Sequence, residues 1–185
     1  MAFVVSYTTG ETMLKLHLGC GPHLLAGWEN VDLEPAVGGV KRDLRQPFPY
    51  RSNSVQFIFS EHFIEHLTRR EAIRFLSECY RVMTDNGVMR ISTPDLETIV
   101  SDYRTNKLDR WAQTWKPKNR CQMLNDGLRF WGHQHVYDKE DFELLCQEVG
   151  FRVITYTSYG HSLHPELRQL ERRPFMGDLI CEVEK

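Results

Sequence analysis

Five residues, Leu14-Lys15-Leu16-His17-Leu18, run straight into Gly19-Cys20-Gly21-Pro22. A short apolar strand that ends on two closely spaced glycines leaves few folds open. Glycine there lets the chain turn sharply and lets another group approach the main chain closely. Strand and helix signals then alternate, as in a sheet covered by helices. Further strands are expected at Trp28 to Leu33, near Val40 to Leu44, and at Val55 to Phe59, Val88 to Ser92, Phe151 to Thr157 and Leu179 to Val183. One helix opens on Thr68-Arg69-Arg70-Glu71, which has the form of a capping box. Its apolar residues Ala72, Ile73, Leu76, Cys79, Tyr80 and Met83 recur at helical spacing, and Asn86-Gly87 is its expected stop. A second helix starts at Asp138, carries Phe142, Leu145, Cys146 and Val149 on one face, and stops at Gly150.

The 185 residues fit one domain. Residues 1–12 read as an N-terminal extension. Residues 95–136 are polar, aromatic-rich and weakly periodic; they read as a cap over the sheet edge, and residues 158–177 as an insert between the last two strands. A net charge of −2 provides no global field for nucleic acid. Five cysteines, none at CxxC spacing, speak against a disulfide framework or a zinc ribbon and for a reducing cytoplasm. No window approaches the roughly 20 apolar residues that span a membrane. The oligomeric state is not legible.

Ligands of open α/β sheets bind outside the carboxyl ends of the strands. Gly19-Cys20-Gly21 is therefore the first place to look for a site. Asp32, closing the second strand, strengthens it, because a carboxylate there accepts hydrogen bonds from both hydroxyls of a ribose. Taken singly, the glycines also read as a tight turn and Asp32 as a turn residue. A nicotinamide dinucleotide is disfavoured on spacing. The third glycine position holds Leu24, and Asp32 arrives too soon for the full helix and the interval of about 20 residues found in dinucleotide folds. A nucleoside without phosphates fits better.

With these residues in place a resemblance emerges. Leu16-His17-Leu18-Gly19-Cys20-Gly21 resembles the first motif of class I S-adenosylmethionine-dependent methyltransferases. Gly27-Trp28-Glu29-Asn30-Val31-Asp32 resembles their second-strand acid, in the shortened form of a small type-11-like subgroup. Asp43-Leu44 with Pro47-Phe48-Pro49 is similar to the family's adenine-side loop. Phe57-Ile58-Phe59-Ser60-Glu61-His62 and Glu65-His66-Leu67 resemble its fourth strand and the continuation of that strand. Arg81-Val82-Met83 to Asn86-Gly87 resembles the turn before strand five. His133-Gln134-His135-Val136-Tyr137-Asp138 is similar to a late histidine-rich motif, and Gly150-Phe151 to the entry of strand six. The resemblance spans residues 14–157.

The resemblance implies a Rossmann-like α/β fold. Its sheet is mostly parallel with an antiparallel last strand, helices lie on both faces, and the first helix is shortened. It also implies S-adenosylmethionine as methyl donor and a small-molecule acceptor, methylated at oxygen or nitrogen by in-line displacement. By position, Gly19 and Gly21, with Cys20 between them, pass under the methionine part of the cofactor. Asp32 holds the ribose, next to Leu33. Asp43 and Leu44 meet the adenine, and Ser60 and Glu61 border the cofactor near the methyl group. Two residues depart from the pattern. His17 stands where the family often has an acid that orders the glycine loop, and Gln56 replaces the usual acid of strand four.

Rival readings attach to the histidines. His62-Phe63-Ile64-Glu65-His66 matches HxxEH, a zinc-hydrolase signature in which both histidines share a helix face and Glu65 is the base. Glu140 or Glu143 would then supply a third ligand. Within the methyltransferase order the same residues are loop and helix-start packing, and no metal is assigned. His133 and His135, at i, i+2 and so on one side of an extended segment, are structural or capping residues, face an acceptor, or ligate a metal. With His62 they are the candidate bases, since imidazole titrates near neutrality. The stretch 101–132 mixes basic residues with Tyr103, Trp111, Trp115, Phe130 and Trp131. It reads as a helical cap or lid, and a nucleic-acid partner is not expected. A cofactor-binding protein without transferase activity is the remaining alternative.

Overall fold

The computed structural model describes residues 13–112, 115–174 and 177–185. The expected N-terminal extension, 1–12, lies outside the described residues. Seven strands build one sheet: β1 (Leu14–Leu18), β2 (Glu29–Asp32), β3 (Val40–Lys41), β4 (Val55–Glu61), β5 (Met83–Thr93), β6 (Val153–Tyr156) and β7 (Leu179–Glu184). Their order is β3-β2-β1-β4-β5-β7-β6. The first five strands pair in parallel, and β7 runs antiparallel to both β5 and β6. This is the expected Rossmann-like α/β sheet. Strand order reverses between β1 and β4, so a crevice opens at their carboxyl ends, where such sheets take ligands.

Side chains alternate across the sheet as a strand requires. Leu16, Leu18, Val31, Ile58, Met89, Ile91, Cys181 and Val183 point to one face. There they meet the apolar sides of α1 (Arg69–Val82) and α4 (Lys139–Val149), through Phe75, Leu76, Cys79, Phe142 and Leu145. The capping box at Thr68 forms: its side chain accepts from the Glu71 amide, and the Glu71 carboxylate accepts from the Thr68 amide at 2.9 Å. Gly150 ends α4 in the left-handed conformation. On the other face Phe57, Phe59 and Val88 are covered by Leu25, Leu167 and Leu170, around a short 3₁₀ turn at Pro165–Leu167.

Three local expectations change. α1 stops at Val82, not at Asn86-Gly87, because Met83 already takes extended angles and pairs with Val55. The shortening expected after β1 goes to its limit, since residues 19–28 hold only turns. The weakly periodic stretch 95–136 contains α2 (Leu96–Thr105) and α3 (Arg120–Arg129), closed on a small core of Ile99, Trp111 and Met123. So few apolar residues face inward there that periodicity is hard to see.

Within the insert, residues 158–174 are held by charge as well as by Leu167 and Leu170. Arg90, fully buried on β5, donates from Nε to Glu171 at 2.7 Å and from Nη1 to Glu182 at 2.8 Å. Its Nη2 also pairs with Glu171, and the guanidinium reaches the carbonyls of His161 and Ser158. Removing one member of a buried ion network strands its partners in low dielectric. Arg90→Met is expected to cost about 3–5 kcal/mol of stability, measured by denaturant unfolding. A loss below about 1 kcal/mol would show that the network is not what secures this segment.

Candidate functional site

The turn after β1 begins with a geometric demand. The Gly19 amide donates to the Val31 carbonyl at 2.8 Å, at φ +75°. A Cβ on Gly19 would lie 2.6 Å from Phe63, so only glycine lets this turn pass beneath the Phe63 ring. Gly21 donates its amide to Asp32 Oδ2 at 2.8 Å, while Asp32 Oδ1 accepts from the Glu34 amide at 2.9 Å. His17 does what the absent acid would do, through Asn30. His17 Nδ1 lies 3.0 Å from Asn30 Oδ1, and Asn30 bonds the backbone of Leu25 and Trp28. Gln56 bonds the Asn86 carbonyl at 2.7 Å and has a structural role.

Gly19, Asp32, Leu33, Asp43 and Leu44 border one groove of about 310 Å³. Arg42, Phe63, Leu67 and Arg173 help complete it. Its lining fits a nucleoside ligand: Leu33 is half exposed, and the buried Nε of Arg42 has no hydrogen-bond partner. Asp43 pairs at the surface with Arg45, at 2.8 and 2.9 Å, which holds its carboxyl below the usual carboxylate range. Cys20, Gly21, Ser60 and Glu61 are not part of the lining. Burial pushes the Cys20 thiol up to about 11. The Glu61 carboxylate accepts the amides of Arg172 and Arg173 at 3.0 Å, so it fastens the segment that carries Arg173 over the groove.

A second cavity, of about 200 Å³, adjoins the first. Pro94, Trp111, Trp131 and Pro174 give it apolar walls, and His62, Glu65, His66, His133 and Arg173 converge on it. His62, His66 and Arg173 line both spaces and form the wall between them.

His62 adopts φ +50°, rare for a side-chain-bearing residue. Its Nδ1 lies 3.3 Å from Glu65 Oε1 and its Nε2 3.4 Å from Asp178 Oδ2. Burial works against the imidazolium, yet the two carboxylates outweigh it and raise the pKa to about 10. Glu65 is fully buried. Burial works against its charge too, but His62 holds it below its ordinary range, and Thr93 Oγ1 donates to its Oε2 at 3.1 Å. The segment Ile64–His66 is a single 3₁₀ turn. His62 and His66 therefore share no helical face, and the HxxEH zinc-hydrolase arrangement does not form. Its suggested third ligands, Glu140 and Glu143, line neither cavity.

Of the three candidate bases, His62 and His133 line the second cavity. His135 lies outside it, with Nε2 2.7 Å from Asp141 Oδ2. His133 Nδ1 is 3.0 Å from the Gly127 carbonyl. A carbonyl only accepts, so Nδ1 carries the proton and Nε2 keeps a free lone pair. Burial lowers the His133 pKa, favouring this neutral form. Arg173 left no signal in the sequence, since nothing local links it to Gly21 or Glu61. The two tryptophans were visible only as part of an aromatic-rich cap.

A Rossmann-like sheet with a groove at its switch point is a frame that takes nucleotide and nucleoside cofactors. Residues 10–156 match the model of a methyltransferase domain family. The chain belongs to that family and is an S-adenosylmethionine-dependent methyltransferase. Solved structures share the fold. An S-adenosylmethionine-dependent methyltransferase from Mesorhizobium loti superposes with a TM-score of 0.59 at 14% identity, over 94% of this chain and 91% of that one. One from Archaeoglobus fulgidus gives 0.55 at 16%, over 94% and 86%. A small RNA methyltransferase gives 0.57 at 14%, over 94% of this chain and 23% of its own. No curated protein matches the chain.

The glycine loop has a pH signature. Burial pushes His17 down to about 4, against the bond to Asn30. The unfolded residue gains its proton near pH 6.5. The contribution of a neutral His17 is thus intact at neutral pH and is lost as pH falls from about 6.5 to about 4, by roughly 3 kcal/mol. Denaturant unfolding of wild type and His17→Gln at pH 7 and pH 4 should show the larger acid loss in wild type. Equal losses would mean that His17 takes up its proton as readily folded as unfolded.

Proposed function

We propose that this chain transfers the methyl group of S-adenosylmethionine, held in the groove, to a small acceptor held in the aromatic-walled cavity, at an oxygen or nitrogen atom. The observation that carries this reading is the shared wall. His62, His66 and Arg173 border both spaces, so a methyl group at the end of one would face an acceptor in the other.

Roles follow from chemistry. Asp32 already accepts one amide on each oxygen, but a carboxylate has about four acceptor sites, so capacity remains for ribose hydroxyls. Leu33 offers an apolar surface to the adenine, beside Leu44. Arg173, with Nη2 3.9 Å from where a Gly21 Cβ would stand, is placed to pair with the cofactor's carboxylate. When bound, the cofactor supplies an electrophilic methyl on a sulfonium, an excellent leaving group. The protein's task is alignment, which can contribute on the order of 7–11 kcal/mol. Trp111 and Trp131 exclude water and hold the body of the acceptor. His133 would meet its reacting polar atom, whereas both nitrogens of His62 face carboxylates, at 3.3 and 3.4 Å.

A small acceptor is favoured over nucleic acid by the volume of the aromatic-walled cavity, about 200 Å³, and by two cations of the cap that are already engaged. Arg110 pairs with buried Asp102 at 2.9 Å, and Arg120 lies over the Tyr103 ring. These cations serve their own helical unit.

Calorimetric titration with S-adenosylhomocysteine tests the groove. Asp32→Ala is expected to weaken binding by about 1–3 kcal/mol, the worth of hydrogen bonds to a charged group. Absence of wild-type binding at millimolar ligand would overturn the assignment of the groove. With an acceptor found by screening, His133→Gln should lower kcat about 10²–10⁴-fold and leave cofactor affinity unchanged. An unaltered kcat would remove His133 from the reaction.

A further inference from the structure

We infer that Glu65, His66 and His133 bind a divalent first-row transition ion, zinc foremost, at the polar end of the aromatic-walled cavity. One ligand atom from each lies within 4.8 Å of the others. Ligands of a zinc ion sit about 2.0–2.2 Å from it, hence roughly 3–4 Å from one another, so small side-chain shifts close the site. Two imidazoles and one carboxylate suit such an ion and leave positions open for outside ligands.

Two independent features point the same way. His133 gives its Nδ1 proton to the Gly127 carbonyl, the outer bond that typically orients a metal-ligating histidine. Glu65 is completely buried, and its Oε1 makes no hydrogen bond, only the looser ion pair with His62. The backbone also pre-forms the site. The amides of Gln134 and His135 donate to the Glu65 carbonyl at 2.7 and 3.2 Å, docking the His133 segment on the turn that carries Glu65 and His66. The ligand pair is therefore His66 with His133, not the His62 and His66 of the HxxEH pattern.

The consequence for the acceptor rests on reading this cavity as the acceptor pocket. An ion there occupies the Nε2 lone pair of His133, which then acts as a ligand and not as the base; the ion selects an acceptor bearing a hydroxyl and lowers the pKa of that hydroxyl. The hydroxyl proton leaves to solvent. The oxygen then forms its bond to the methyl carbon as the carbon–sulfur bond breaks, and the thioether departs neutral.

The test uses the full chain, dialysed against chelator, without cofactor or acceptor. Calorimetry with Zn²⁺ should show one saturable site, with Mg²⁺ binding at least tenfold weaker. His133→Ala and, separately, His66→Ala should weaken Zn²⁺ binding tenfold or more, while His135→Ala leaves it unchanged. Circular dichroism melting reports that each variant is folded. No saturable Zn²⁺ binding at millimolar ion, or binding that survives both ligand substitutions, would overturn the inference. Zn²⁺ binding that persists in a chain unable to bind S-adenosylhomocysteine would support the metal site and reject only the groove assignment.

Discussion

The site depends on one close contact, the passage of Gly19 beneath the ring of Phe63. It brings the turn after β1 against the turn after β4, at the point where strand order reverses. Both turns carry chemistry: the first leads to Gly21 and Asp32, the second to His62, Glu65 and His66. Any side chain at position 19 would force the two turns apart. The crevice of the sheet is thus narrowed into a groove and a neighbouring cavity with a common wall.

Buried charge does the rest of the positioning. Arg90 ties Glu171 and Glu182 into the far face of the sheet, and Glu61 collects the amides of Arg172 and Arg173. These bonds add to the packing of Leu167 and Leu170 in holding the segment on the sheet. That segment delivers Arg173 to the groove and Pro174 to the cavity. The same economy appears at His17 and Asn30, an uncharged pair that orders a loop without a helix.

The second cavity is built by the helical unit of residues 95–136. Its own core is small, yet it presents Trp111, Trp131 and His133 to a wall formed by Glu65 and His66. Backbone bonds from Gln134 and His135 to the Glu65 carbonyl are the joint between cap and sheet. The groove and the cavity consequently draw their walls from different layers of the molecule, which meet along His62, His66 and Arg173.

Much was legible in the sequence because it is local. Short apolar runs mark β1, β4 and β7, and the Thr68 capping box and Gly150 mark the ends of two helices. The glycine turn followed by Asp32 marks the groove, and Leu33, Asp43 and Leu44 fall on its border as their positions suggest. What tertiary structure alone decided is which way the polar side chains turn. Glu61 faces a backbone 111 residues away, His135 faces Asp141, and His62 is locked between two carboxylates. None of this is written in spacing, because burial and charge pairing depend on segments that meet only after the chain has folded. For the same reason Arg173 reaches the groove unannounced, and His66 finds its partner in His133 instead of in the histidine four residues before it.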